Sequence, residues 1–80
     1  MLTLYSTDGC HLCEMALELL SNLGIQHLVD VVDIAFDDQL FHRYGVTIPV
    51  LRYTDAELNW PFNQVQLQHW LDNHGITYNT

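Results

Sequence analysis

The only two cysteines of the chain, Cys10 and Cys13, stand three positions apart, where one structural pattern gives way to another. Before them, Leu2-Thr3-Leu4-Tyr5 is a short apolar run that reads as a strand, closed by the turn-rich Ser6-Thr7-Asp8-Gly9. After them, Leu12, Met15, Ala16, Leu19, Leu20 and Leu23 recur at helical spacing as one continuous stripe, with Gly24 as the stop signal. A bridge between such close cysteines closes a tiny loop and restricts the unfolded chain little, so it explains little as a structural staple. The pair points to chemistry at a strand-to-helix junction.

Eighty residues leave room for one core, and a single domain over 1–80 is expected. With 49% hydrophobic residues, disorder is not expected. Leu28-Val29-Asp30-Val31-Val32-Asp33-Ile34 is rich in β-branched residues and reads as a largely buried strand. Asp37-Asp38 can cap a short helix through Tyr44, ended by Gly45. A third strand follows Pro49 over Val50 to Tyr53. A turn at Thr54-Asp55-Ala56 leads to a fourth strand around Leu58-Asn59-Trp60. The last helix begins near Asn63, carries Leu67, Trp70, Leu71 and His74 on one face, and closes at Gly75. The order βαβαββα predicts an α/β fold. Parallel pairing is expected where helices intervene, and an antiparallel hairpin at the end.

Two arginines, Arg43 and Arg52, stand against ten carboxylates, a formal charge of −8. Phosphate backbones and anionic membranes are bound by clustered Lys and Arg, so neither nucleic acid nor membrane is an expected partner. No apolar run approaches the roughly 18 residues of a span, and the start lacks the pattern of a secretory signal. A cytoplasmic location is the expectation, and in a reducing compartment a close cysteine pair reads as catalytic or metal-binding. Zinc needs about four ligands; there is no second cysteine pair, and His11, His27 and His42 are scattered, so no metal is expected. Two incidental buried thiols are the other plain reading.

Disulfide exchange needs an accessible thiolate. Cys10 at a helix N-terminus gains free N–H groups and the macrodipole. His11 adds to this when protonated, while Asp8 and Glu14 oppose it. Cys13, in line with Ala16 and Leu20, is expected to be the more buried thiol. Cys10 then attacks and Cys13 resolves.

Thr47-Ile48-Pro49 stands just before the third strand, where a proline loses a ladder bond. Together with Leu2-Thr3-Leu4-Tyr5, the C-H-L-C motif, Arg43-Tyr44-Gly45-Val46 and the closing helix, it makes the chain resemble the thioredoxin superfamily over nearly its whole length. The similarity is greatest to compact bacterial glutaredoxin-like proteins. The resemblance implies a thioredoxin-like (glutaredoxin-type) mixed four-stranded sheet flanked by helices, and a thiol–disulfide oxidoreductase acting on protein or low-molecular-weight disulfides. It implies a cis Pro49 beside Cys10, with Ile48 offering its backbone to the substrate; His11, Leu12 and Trp60 complete the expected substrate-binding set. Pro61 lacks such a context and reads as a loop or edge proline.

The chain also departs from the glutaredoxin pattern. His11 and Leu12 replace Pro and Tyr, Thr7 replaces a Lys, and Trp60-Pro61-Phe62-Asn63-Gln64 replaces a Gly-Gly turn with its Ser/Thr-Asp pair. The missing elements are those that hold glutathione carboxylates. No tightly bound cofactor is expected, glutathione enters only as a reductant, and a monomer acting on a protein disulfide or a small thiol is the expectation. Trp60, Pro61 and Phe62 would give an apolar rim suited to protein substrates, or simply cover the core. The alternative function is a non-catalytic binding module with vestigial or regulatory thiols. A cluster shared through Cys10 in a dimer is a third.

Overall fold

A computed structural model describes residues 2–78. Its elements are β1 (Leu2–Ser6), α1 (His11–Asn22), β2 (Val29–Asp33), α2 (Asp38–Tyr44), β3 (Val50–Tyr53), β4 (Ala56–Asn59) and α3 (Gln64–Asn73). The four strands form one sheet in the order β2-β1-β3-β4. Pairing is parallel between β1 and β2 and antiparallel at the other two junctions.

Alternation along the strands divides the core in two. Leu2, Leu4 and Leu51 face Ala16 and Leu20 of α1 and Leu67 and Leu71 of α3. On the opposite face, Tyr5 and Val50 meet Ile34 and Tyr44, the last from α2. Capping fixes where the helices begin. Asp37 accepts from the N–H groups of Gln39 and Leu40 at 2.9 and 3.1 Å. Asn63 and Gln66 form a reciprocal capping box at the head of α3.

Three sequence expectations change. The strand read over Leu28–Ile34 is trimmed at each end by a 3₁₀ turn, Gln26–Leu28 and Ile34–Phe36. It is also not largely buried: β2 is an edge strand, and Val31 is 51% exposed. Nor does the helix between β2 and β3 make a parallel crossover. The seven residues of α2 span only about 10 Å, too little to carry the chain back along the sheet. β3 therefore starts at the end where β2 finishes, with Val50 opposite Tyr5 and Asp33 opposite Ser6. The consequence is functional: Pro49, just before Val50, and Cys10, just after β1, emerge at the same end of the sheet.

Candidate dithiol site

Beyond Ser6 the chain reverses through Gly9, whose φ of +74° is a left-handed conformation that favours glycine. The Cys10 N–H donates to the Thr7 carbonyl at 3.3 Å, which sets the chain at the head of α1. Cys10 is the N-cap, and its Sγ accepts from the Cys13 N–H at 3.2 Å. One of the helix's otherwise unpaired donors therefore points at the sulfur. The two cysteines are joined as a disulfide with Cα atoms 5.2 Å apart, within the usual span. Cys10 is half-buried, whereas Cys13 is 2% exposed on the core side of α1.

Ile48–Pro49 is a cis peptide, and Pro49 is buried. The loop before it hangs on one acceptor, the Tyr44 carbonyl. It takes the N–H groups of Thr47 and Ile48 at 2.9 and 3.1 Å, and the Thr47 hydroxyl at 3.3 Å. Tyr44 is itself locked: its ring stacks on Tyr5 at 4.3 Å, its hydroxyl donates to Glu57, and the Arg43 guanidinium lies 5.1 Å above the ring. Burial and then the Glu57 carboxylate push its phenol above the ordinary tyrosine range. Sequence reasoning missed Tyr44, because no spacing rule marks a backbone carbonyl that will hold a loop.

Trp60 joins this group through its backbone N–H, which donates to the Pro49 carbonyl at 3.2 Å. Its ring meets Phe62 edge-on at 5.0 Å. Trp60–Pro61 is likewise cis, with Pro61 exposed. Ile48 has its N–H tied to Tyr44, while His11 and Leu12 are exposed in the first turn of α1. The site residues thus form two hydrogen-bonded groups at one end of the sheet: the capping dithiol, and the Tyr44–Pro49–Trp60 loop pair.

Met15 and Leu19 were also missed as site residues. The sequence reads Leu12 and Met15 as part of the core stripe, yet they are 43% and 41% exposed. Met15 and Leu19 instead line an open groove with Trp60 and Phe62. Among the described residues, no group of three or more His, Cys, Asp or Glu is placed to hold a metal ion. No helix among them is long and apolar enough to cross a membrane.

A mixed sheet flanked by helices, with a CxxC pair at the head of its first helix, defines a thioredoxin-fold protein of the glutaredoxin-like class. Residues 1–72 match the family model of the Glutaredoxin-like domain (DUF836), and the chain belongs to that family. It is similar to Northeast Structural Genomics target protein XcR50 from X. campestris, at 42% identity. The X-ray structure of that protein gives a TM-score of 0.85 over 91% of this chain and 97% of that one. Its solution structure gives 0.80 over 90% and 92%. Thioredoxin 1 from the thermophilic eubacterium Thermosipho africanus TCF52B, 16% identical, shares the fold with a TM-score of 0.55 over 92% of this chain and 97% of that one. No curated protein matches the chain.

Proposed function

We propose that the chain is a thiol–disulfide oxidoreductase in which Cys10 attacks and Cys13 resolves. The observation that carries this is the asymmetry of the pair: the more accessible sulfur accepts a helix N–H, while its partner is buried. An N–H aimed at Sγ favours the thiolate over the thiol. The reduced Cys10 thiolate attacks a substrate disulfide, forming a Cys10–substrate bond and expelling the other substrate sulfur as a thiolate. The Cys13 thiolate then attacks Cys10 Sγ and releases the second substrate thiolate. Two electrons pass to the substrate, its two thiolates take up the two protons that Cys10 and Cys13 give up, and the pair ends as the disulfide. An external dithiol, or two monothiols, returns it to the reduced form.

Ile48 and Pro49 form the backbone wall of the substrate groove, with His11, Leu12 and Trp60 around it. Glutathione is not read as a tightly bound cofactor. Its carboxylates favour cationic partners, and the hollow that holds the dithiol is lined by Asp8 and Glu14 and by no arginine. No step is routed through it, and it serves at most as the external thiol. We further read the protein as a cytoplasmic monomer without nucleic-acid or membrane partners.

The test is trapping. Reduced Cys13→Ser protein mixed with a disulfide substrate is expected to accumulate a mixed disulfide on Cys10, visible by mass, and Cys10→Ser protein to accumulate none. Equal trapping by both variants, or no reversible two-electron transition of the native pair, would leave a binding module with vestigial thiols.

A further inference from the structure

Helix α1 is bordered by two depressions of different character. Toward α3, Met15, Leu19, Trp60 and Phe62 line the open groove, about 360 Å³, with Glu18 at its edge. Toward β2, a hollow of about 220 Å³ contains both cysteines, with Asp8 and Glu14 beside them and Leu17 and Val31 among its apolar lining. Neither arginine lines either one. Arg43 lies 3.7 Å from Glu57, and Arg52 Nε donates to the Thr54 carbonyl at 2.7 Å.

Trp60 in the groove wall is tied to the loop at the dithiol end, because its backbone N–H donates to the Pro49 carbonyl. Along the helix axis Met15 stands five residues beyond Cys10 and about 140° around it, which separates their Cα atoms by roughly 9 Å. An extended peptide crossing the exposed side of the helix covers that distance in about three residues at about 3.3 Å each. A substrate whose cysteine reacts at Cys10 can therefore lay a side chain from a nearby position into the groove. The half-exposed Met15 thioether is an adaptable apolar wall for it.

Resting on the oxidoreductase reading above, we propose that Cys10 acts on disulfides of cationic polypeptide segments. A large apolar side chain about three residues from the reacting cysteine enters the Met15–Trp60 groove, and a Lys or Arg beside that cysteine faces Asp8 and Glu14. The exchange is the balanced step already written, with the same atoms and electrons. Charge complementarity selects the partner: a chain of net charge −8 attracts cationic disulfides and repels those bearing carboxylates. The selection resides mainly in encounter, so it weakens as salt screens exposed charge.

The experiment measures exchange rates of the reduced native protein with short peptides, each disulfide-linked to 2-mercaptoethanol. The peptides carry Arg or Glu beside the cysteine and Leu or Ser three residues away. Bis(2-hydroxyethyl) disulfide is the neutral reference. The Arg/Leu peptide is expected to react about tenfold or more faster than the Glu/Leu peptide at low salt, with the ratio collapsing at high salt. In the Asp8→Asn/Glu14→Gln protein the Arg/Glu ratio should fall, with the part due to the remaining charge of the chain left in place. In Met15→Ser the Leu/Ser ratio should fall while the Arg/Glu ratio persists. Comparison within each variant cancels differences in folding or thiol reactivity. Equal rates for Arg and Glu peptides, or a ratio indifferent to salt and to the carboxylate variants, overturn the inference while leaving the oxidoreductase reading intact. Failure to exchange even with the neutral reference overturns both.

Discussion

At Cys10 the group that caps the helix is a sulfur, where an oxygen of Ser, Thr, Asp or Asn is the usual acceptor. Serine at this position can still accept the Cys13 N–H, whereas alanine cannot. With all proteins reduced, Cys10→Ser is expected to stay within about 1 kcal/mol of the native stability and Cys10→Ala to lie about 1 kcal/mol below the serine variant. Urea unfolding measures both. If the two variants are equally stable, the contact of Sγ with the helix N–H contributes nothing. Tyr44 makes a second prediction, at alkaline pH. Its phenol is raised in the folded protein, mainly by burial and next by Glu57, so the native state holds its proton more tightly than the unfolded chain does. That contribution is complete below the unfolded value of about 10 and is lost as pH rises through the folded value. Tyr78 is raised by burial and then by Asp72, in the same direction, so only a difference between variants isolates Tyr44. The stability advantage of the native protein over Tyr44→Phe should decline above about pH 10; an advantage constant with pH would show the phenol unshifted.

Helix α1 illustrates what periodicity reveals and what it conceals. At about 100° per residue, its apolar positions from Met15 around to Leu17 cover an arc of about 200°, where a core-facing stripe needs little more than about 100°. Cys13, Ala16 and Leu20 take the buried centre, and Met15 is left at the rim facing Trp60 and Phe62. The repeat located the helix, but which rim stays open depends on where α3 and the Trp60–Phe62 segment pack, a tertiary matter. β2 is a similar case: its β-branched composition suits a central strand, and its edge position follows from β3 pairing on the far side of β1. Local signals were legible where one residue acts on its neighbours. The Asp37 and Asn63 caps, the cysteine pair at the strand end and the Thr47-Ile48-Pro49 segment are of that kind. The threefold use of the Tyr44 carbonyl was not, because its partners are set by a loop closure. Gly45 tests how tightly that loop is built. Its backbone is ordinary right-handed helix, but an added Cβ would lie 2.6 Å from the Phe41 carbonyl oxygen. Since backbone must move to relieve that clash, Gly45→Ala is expected to cost about 1–3 kcal/mol in urea unfolding. A neutral or stabilising result would mean that α2 relaxes freely and the loop before Pro49 is not held by it.

Across the whole molecule, ten carboxylates share a body of 34 × 25 × 21 Å with two arginines. Among the described residues the one ion pair is Arg43–Glu57. Several carboxylates have like-charged neighbours: Glu14 and Glu18 stand one helical turn apart on α1, and Asp37 adjoins Asp38. Most of this charge is exposed, so each repulsion is small, but the sum favours the expanded chain, where charges separate. Salt should therefore stabilise the fold. Raising ionic strength from about 0.01 to 1 M shrinks the Debye length from about 30 to 3 Å, and each kcal/mol recovered raises the Tm of a chain this size by about 4–8 °C. Sodium chloride with urea is the suitable pair, since guanidinium would itself screen the charges. An increase in urea midpoint with salt, at constant slope, is the expected outcome. A midpoint that falls or stays level would mean that the carboxylates are too dispersed, or the unfolded chain too compact, for repulsion to matter. The same addition of salt should weaken the preference of the dithiol for cationic disulfides. Fold stability and substrate selection thus respond to one variable in opposite directions, so a loss of selectivity at high salt cannot be put down to unfolding.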